Sequence, residues 1–234
     1  MDTNSGKKLL GDVLSDIVCI AECFRLEDSM IRVLTTCRRT PHFNLYVPRD
    51  NGDVDIIPGW RSHHRTLGKM YRGGQLFHPY ATQEMVEAKA MLMTWKQALV
   101  GPDPSIRLPF GGAKGAVRCD ISKYSLSEQE RIIRDLVKEL DPYIDPHRDS
   151  LGPDLNFREQ LIAWFQKYYE ERHENDGRMT DGIITGKPVN RGGGRWRPPA
   201  TGRGLNLVLR ILRDAGALPR MPSSPTTITH GYGQ

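Results

Sequence analysis

Residues 107–116, RLPFGGAKGA, constrain the fold more tightly than any other stretch. Three glycines, Gly111, Gly112 and Gly115, bracket a single lysine, Lys114. Glycine lets a backbone bend sharply and lets another group come close, so the stretch predicts a turn that holds Lys114. A lysine there is either a solvated charge or an amine kept against something negative. A phosphate loop is excluded, because G-x-x-x-x-G-K must be followed by Ser or Thr, and here Gly115 follows the lysine.

A chain of 234 residues makes one large domain or one and a half. Its net charge of +5 is mild, and acids and bases interleave along most of its length. That pattern reads as a solvated surface, so nucleic acid is not an expected partner. The most basic segment is 191–203, RGGGRWRPPATGR. No apolar run is long enough for a membrane span. The N-terminal stretch carries acids among its apolar residues and no small-residue cleavage site, so it does not read as a secretory signal, and a cytoplasmic location is expected. Cys19 and Cys23 sit one helical turn apart, with Cys37 and Cys119 elsewhere. No metal-like spacing accompanies them, so buried reduced thiols and no metal are expected.

Apolar residues recur at helical spacing from 9 to 36 (Leu9, Val13, Ile17, Ile20, then Met30 and Val33). NLYV at 44–47 and DIIPGW at 55–60 flank Asn51-Gly52, which predicts a hairpin. Residues 82–99 predict a helix capped by Thr82, with a stripe of Met85, Ala88, Met91, Leu92, Trp95 and Leu99. A second helix is expected over 125–140, opened by a capping box, Ser125/Glu128 or Ser127/Glu130. Further helices are expected over 155–172 and 201–215, and TTITHGYGQ at the end reads as a strand. Helices alternating with short strands favour an α/β fold.

YRGGQLFHP (71–79), MTWKQALV (93–100), LPFGGAKGA (108–116), GPDL (152–155), AWFQKYY (163–169), ITGKP (184–188) and ATGRG (200–204) occur in one order. In that order they resemble the glutamate/leucine/phenylalanine/valine dehydrogenases, most closely the glutamate dehydrogenases. The likeness runs from about Leu26 to Gln234. It implies an N-terminal domain for substrate binding and oligomerisation over 1–185. Residues 186–234 would then open a Rossmann-type dinucleotide-binding domain and supply only its first helix and strand. It also implies oxidative deamination of an amino acid to a 2-oxo acid and ammonia, with hydride passing to NAD or NADP. A homo-oligomer, commonly a hexamer in the family, is the implied assembly.

The resemblance carries roles onto particular residues. Lys114 matches the catalytic lysine, whose amine loses solvation in a closed pocket and becomes a base. Asp154, of GPDL, matches the aspartate that handles protons during imine chemistry. Lys96 corresponds to a lysine that holds the α-carboxylate. Arg72 stands where lysine is usual and would meet the distal carboxylate of glutamate, with a different donor geometry. Thr201, Gly231 and Gly233 fall at cofactor-binding positions.

Several residues depart from the family pattern. Leu76 stands where the family has arginine, and Phe157 is a bulky residue just past Asp154 that would fill substrate space. GPDPSIR (101–107) reads as an insertion, and Trp196 replaces a glycine. The dinucleotide signature needs G-x-G-x-x-G, a helix and a later acid, whereas the sequence shows only Gly231-x-Gly233. Two expectations follow: a glutamate-dehydrogenase-like enzyme that does not turn over as this chain alone, or a non-catalytic remnant or regulatory subunit of one.

Overall fold

The structure, a computed structural model, describes residues 4–65, 70–99 and 110–217. The chain divides into two units, Met1–Thr185 and Gly186–Gln234. In the first, β1 (His42–Pro48) and β2 (Val54–His63) form the expected hairpin, paired from His42↔Trp60 to Pro48↔Val54. Gly52 at its tip has φ +94°, which the turn requires. Strands β3 (Met70–Phe77), β4 (Phe110–Val117) and β5 (Asp149–Pro153) complete a five-stranded sheet in the order β1-β2-β4-β3-β5. β2 runs antiparallel to both β1 and β4, while β3 runs parallel to β4 and β5.

Two layers of helix cover the sheet. On one face lies α3 (Gln83–Leu99), the crossover between the parallel strands β3 and β4. Thr82 caps it, with the Met85 amide donating to Thr82 Oγ1 at 3.2 Å. The buried side of α3 is broader than the predicted stripe. Val86, Ala90 and Thr94 are buried with Ala88 and Met91, whereas Leu92 and Leu99 are exposed. Ala88 and Met91 pack against Val13 and Ile17 of α1 (Asn4–Cys23), so α3 is covered on two sides. The helical pattern of 9–36 is two helices. Arg25 at φ 53° breaks it, and α2 (Asp28–Leu34) follows.

On the other face lie α4 (Leu126–Leu140) and α5 (Glu159–Arg172). Ser125 and Glu128 form the capping box that starts α4. Ile132, Leu136 and Leu140 of α4 join Phe165 and Tyr169 of α5 in the main core. α5 starts later than the sequence predicts, because Asn156 adopts φ 62° and leaves Leu155–Phe157 outside it. Phe157 is a core residue rather than a pocket filler. It is 2% exposed, with edge contacts to Phe77 and Phe165 at 5.6 and 6.2 Å.

The cysteines also correct an expectation. Cys19 and Cys23 are exposed on α1, Cys37 is half-buried and only Cys119 is buried. All four are free thiols.

The second unit contains α6 (Arg197–Asp214), which begins four residues before the expected start at Thr201. Pro198 and Pro199 sit in its first turn, where the missing amides have no helical partner to lose. None of its residues is buried. The strand expected at 226–234 lies outside the described residues. Among the described residues, no helix is long and apolar enough to cross a membrane.

Candidate active site

The glycine-rich stretch is a strand in the middle of the sheet rather than a turn. β4 pairs with β2 on one side and β3 on the other, and Ser62 faces Lys114 across the β2 register. The glycines serve close approach. A Cβ on Gly112 would run into the backbone of α3 at Ala90 and Thr94, so the helix can lie directly on β4 only there. Successive side chains of a strand point to opposite faces. Leu76 and Ala116 share an apolar cluster with Val86 of α3, while Phe77 and Val117 lie in the core beneath α4 and α5. Arg72, Gly74 and Leu76 on β3 therefore share the α3 face with Gly112, Lys114 and Ala116 on β4.

On that face the structure brings Lys114 and Asp154 together. The Lys114 ammonium donates to Asp154 Oδ2 in an ion pair, with the two side chains 12% and 21% exposed. The other carboxylate oxygen accepts from the Leu155 amide at 2.7 Å, which fixes the orientation of the group. Asp154 does not cap a helix, because α5 starts at Glu159. Gly74 makes room for it. A Cβ there would lie 2.8 Å from both Asp154 Cβ and Oδ2.

Burial lowers the pKa of the Lys114 amine, and the charge and hydrogen bond of Asp154 oppose that fall without reversing it. The charges of Lys89 and Arg61 lower it further. Lys89, on α3, is a cation that sequence reasoning passes over. Its signal is positional, since it precedes Lys96 by seven residues and so shares a flank of the helix with it.

Arg72 lies on the same sheet face, in register with Gly112 and Ser150. Its guanidinium sits 4.6 Å over the Phe110 ring. Its Nε is buried without a hydrogen-bond partner. Burial lowers its pKa, yet arginine keeps its charge. Arg72 is thus a desolvated cation two strand positions, roughly 7 Å, from Gly74, against which Asp154 packs.

The remaining positions are not gathered into this site. Lys96 is exposed in the last turn of α3, and among the described residues it joins no hydrogen bond or ion pair with Lys114 or Asp154. Thr201 is exposed in α6. Gly231 and Gly233 lie outside the described residues. Among the described residues, no group of three or more His, Cys, Asp or Glu is placed to hold a metal ion.

Two cations and one carboxylate on a glycine-floored face suit an anionic ligand and proton transfer beside it. Comparison with known proteins identifies the family. Residues 38–171 match the family profile described as Glu/Leu/Phe/Val dehydrogenase, dimerisation domain. The chain is 35% identical over 213 residues to the glutamate dehydrogenase of Thermotoga maritima, covering 91% of this chain and 49% of that one. It is 32% identical over 206 residues to the NAD-specific glutamate dehydrogenase of Peptoniphilus asaccharolyticus, covering 85% and 47%. The crystal structure of a glutamate dehydrogenase from Peptoniphilus asaccharolyticus superposes with a TM-score of 0.79 at 30% identity, covering 89% and 51%. That of a hetero-hexameric glutamate dehydrogenase from Thermus thermophilus, in a Leu-bound form, gives 0.78 at 31%, covering 92% and 49%. The chain spans about half the length of the curated relatives it matches.

Proposed function

The chain belongs to the Glu/Leu/Phe/Val dehydrogenase family, and we propose that it supplies the substrate-binding half of a glutamate-dehydrogenase-like enzyme. The whole reaction, oxidative deamination of glutamate to its 2-oxo acid and ammonia with NAD or NADP, belongs to the assembled enzyme. This chain contributes anion binding and proton handling.

The Lys114–Asp154 pair carries the reading. A lysine amine whose pKa burial lowers gives up its proton more readily than an exposed one, so Lys114 takes the proton from water as it adds to the imine carbon. Asp154 moves a proton to or from the substrate nitrogen. Arg72 holds the distal carboxylate and Lys96 the α-carboxylate. The nicotinamide, when bound, accepts the hydride. Of the positions assigned to it, only Thr201 is among the described residues. Arg72, half-buried with its Nε unpartnered, favours an acidic side chain over an aliphatic one.

Calorimetry with the full chain tests the binding step. The expected result is binding of 2-oxoglutarate and weaker binding of 4-methyl-2-oxopentanoate, its aliphatic counterpart. Equal affinity for both, or binding to neither, contradicts the assignment. Absorbance at the nicotinamide band, with 2-oxoglutarate and ammonium, is expected to stay constant for this chain by itself.

A second reading is a non-catalytic subunit of a larger assembly. The likeness to a hetero-hexameric glutamate dehydrogenase favours it. For the first reading a homo-oligomer, a hexamer by family, is proposed, and exposed Ile20, Phe24, Met30 and Val33, on α1, α2 and the link between them, offer a second copy an apolar surface. A light-scattering mass of one chain in solution contradicts that assembly.

A further inference from the structure

The sheet face turned away from Lys114 carries a buried charge network that the proposed chemistry does not use. Arg61, on β2, is the largest fully buried side chain among the described residues. It passes beneath β4 at Gly115, where a Cβ would come 3.1 Å from Arg61 Cδ and closer still to Gln75 Oε1. Beyond β4 it reaches two strands at once. Nε donates to Asp149 Oδ2 at 2.8 Å and Nη2 to Asp149 Oδ1 at 2.6 Å, on β5. Nη1 donates to the Gly74 carbonyl at 3.2 Å and Nη2 to the Gly73 carbonyl at 3.3 Å, on β3.

His63 completes the arrangement. Its Nδ1 accepts from Arg39 Nε at 3.1 Å, so Nε2 carries the proton and donates to Asp149 Oδ2 at 2.7 Å. Arg61, His63 and Asp149 are all 0% exposed.

The two carbonyls held by Arg61 mark a particular place. The β3–β4 register runs from Met70↔Phe110 to Arg72↔Gly112 and resumes at Gln75↔Gly115. Gly73 and Gly74 are skipped, and the β4 residues opposite them are Ala113 and Lys114. Pairing between the strands is interrupted at the step that carries Lys114. On the upper side of the same step Gly74 packs against Asp154. A buried ion pair is weak evidence of stabilisation, since an apolar cluster of the same volume commonly does as well. Its directional donors do something an apolar cluster cannot, which is to fix two peptide units at a break in the ladder.

We propose that Arg61, anchored by Asp149 and His63, is a positioning residue for the Lys114–Asp154 pair, setting the height of the Gly73–Gly74 step on which Asp154 rests. The proposal takes the significance of that pair from the functional reading above, but its test reads geometry alone.

The test is zero-length carbodiimide coupling in the full chain, in which the Lys114 amine and the Asp154 carboxylate form an amide with loss of one water. Mass spectrometry of the linked peptides gives the yield. Arg61→Lys keeps the charge and loses the fork that spans Asp149 and both carbonyls. Its coupling yield is expected to fall by up to about 100-fold, as for a displacement near 1 Å. Ile133→Ala, in the α4 core and away from the network, controls for lost stability and is expected to couple as the parent chain does. Should Arg61→Lys not fold, His63→Leu removes one of the three side-chain hydrogen bonds to Asp149 and is expected to lower the yield about two-fold. An unchanged yield in Arg61→Lys, or in His63→Leu where that variant decides, overturns the proposal. Absence of 2-oxo acid binding would strike the functional reading and leave the coupling result standing.

Discussion

Arg61 and Arg72 lie on neighbouring parts of one sheet and point to opposite faces of it. Arg61 is fully buried and every nitrogen of its guanidinium meets an acceptor, among two carboxylate oxygens and two carbonyls. Arg72 is only half-buried, but its Nε is buried without a hydrogen-bond partner and its guanidinium sits over the Phe110 ring. The same side chain is satisfied below the sheet and left open above it. A buried polar group without a partner calls for an explanation, and a ligand that supplies the missing acceptor is one. The difference separates residues that hold the sheet from residues that wait for an anion.

The largest effect is expected below the sheet. Arg61→Met leaves Asp149 buried and uncompensated, and chemical denaturation should show a loss of about 3–5 kcal/mol. A loss under about 1 kcal/mol would mean the network is not the anchor described here.

Above the sheet the outcome inverts. Arg72→Met removes a half-buried cation whose Nε has no hydrogen-bond partner, so stability should stay within about 0.5 kcal/mol of the parent. Its 2-oxoglutarate affinity should fall about 10–100-fold, the worth of a charged hydrogen bond. Matched losses of stability in the two arginine variants would erase the contrast.

Acid sharpens the comparison. Burial alone would raise the Asp149 carboxyl, but the Arg61 charge and the bonds from Arg61 and His63 more than offset it and hold it at about 2, below its ordinary 3.8. Its stabilising contribution, roughly 2 kcal/mol, is complete above 3.8 and is lost as pH falls toward 2. His63 and His64 act earlier. Burial pushes both below 6.5, so below that pH the unfolded chain takes up protons that the folded chain refuses. Denaturation midpoints should therefore decline from about pH 6.5 downward, and a His64→Leu variant should decline less. A flat profile from pH 7 to pH 5 contradicts this account.

The smallest effect concerns Gln75, which is fully buried beside Arg61 with both amide atoms unpartnered. Gln75→Leu removes two unsatisfied groups at similar volume and should stabilise the chain by about 1 kcal/mol. A loss of stability in thermal melts would show that the amide has a partner, such as a buried water.

Much of the fold was legible where local chemistry decides it. The Ser125/Glu128 capping box, the Asn51-Gly52 hairpin and the Thr82 cap stand where the sequence places them. The last three strands in the chain were not legible. RGG, FGGAKGA and SLGP lack the β-branched residues that announce a strand, because α3 and Asp154 press on β4 and β3 at glycines. Lys114 and Asp154 could be picked out by motif, and the fold brings them together across 40 residues of sequence. Arg61 and Asp149 are 88 residues apart and belong to no motif read in the sequence, so only the folded sheet reveals their bond.

The most direct measurement is the pH profile of Lys114 acylation, read by competitive labelling and mass spectrometry against the exposed lysines of the same chain. The account predicts that Lys114 becomes reactive at a pH clearly below the ordinary lysine value of 10.5, because burial outweighs the pull of Asp154. Titration of Lys114 together with the exposed lysines would contradict it, leaving the pair an ordinary salt bridge and the face above the sheet without its base.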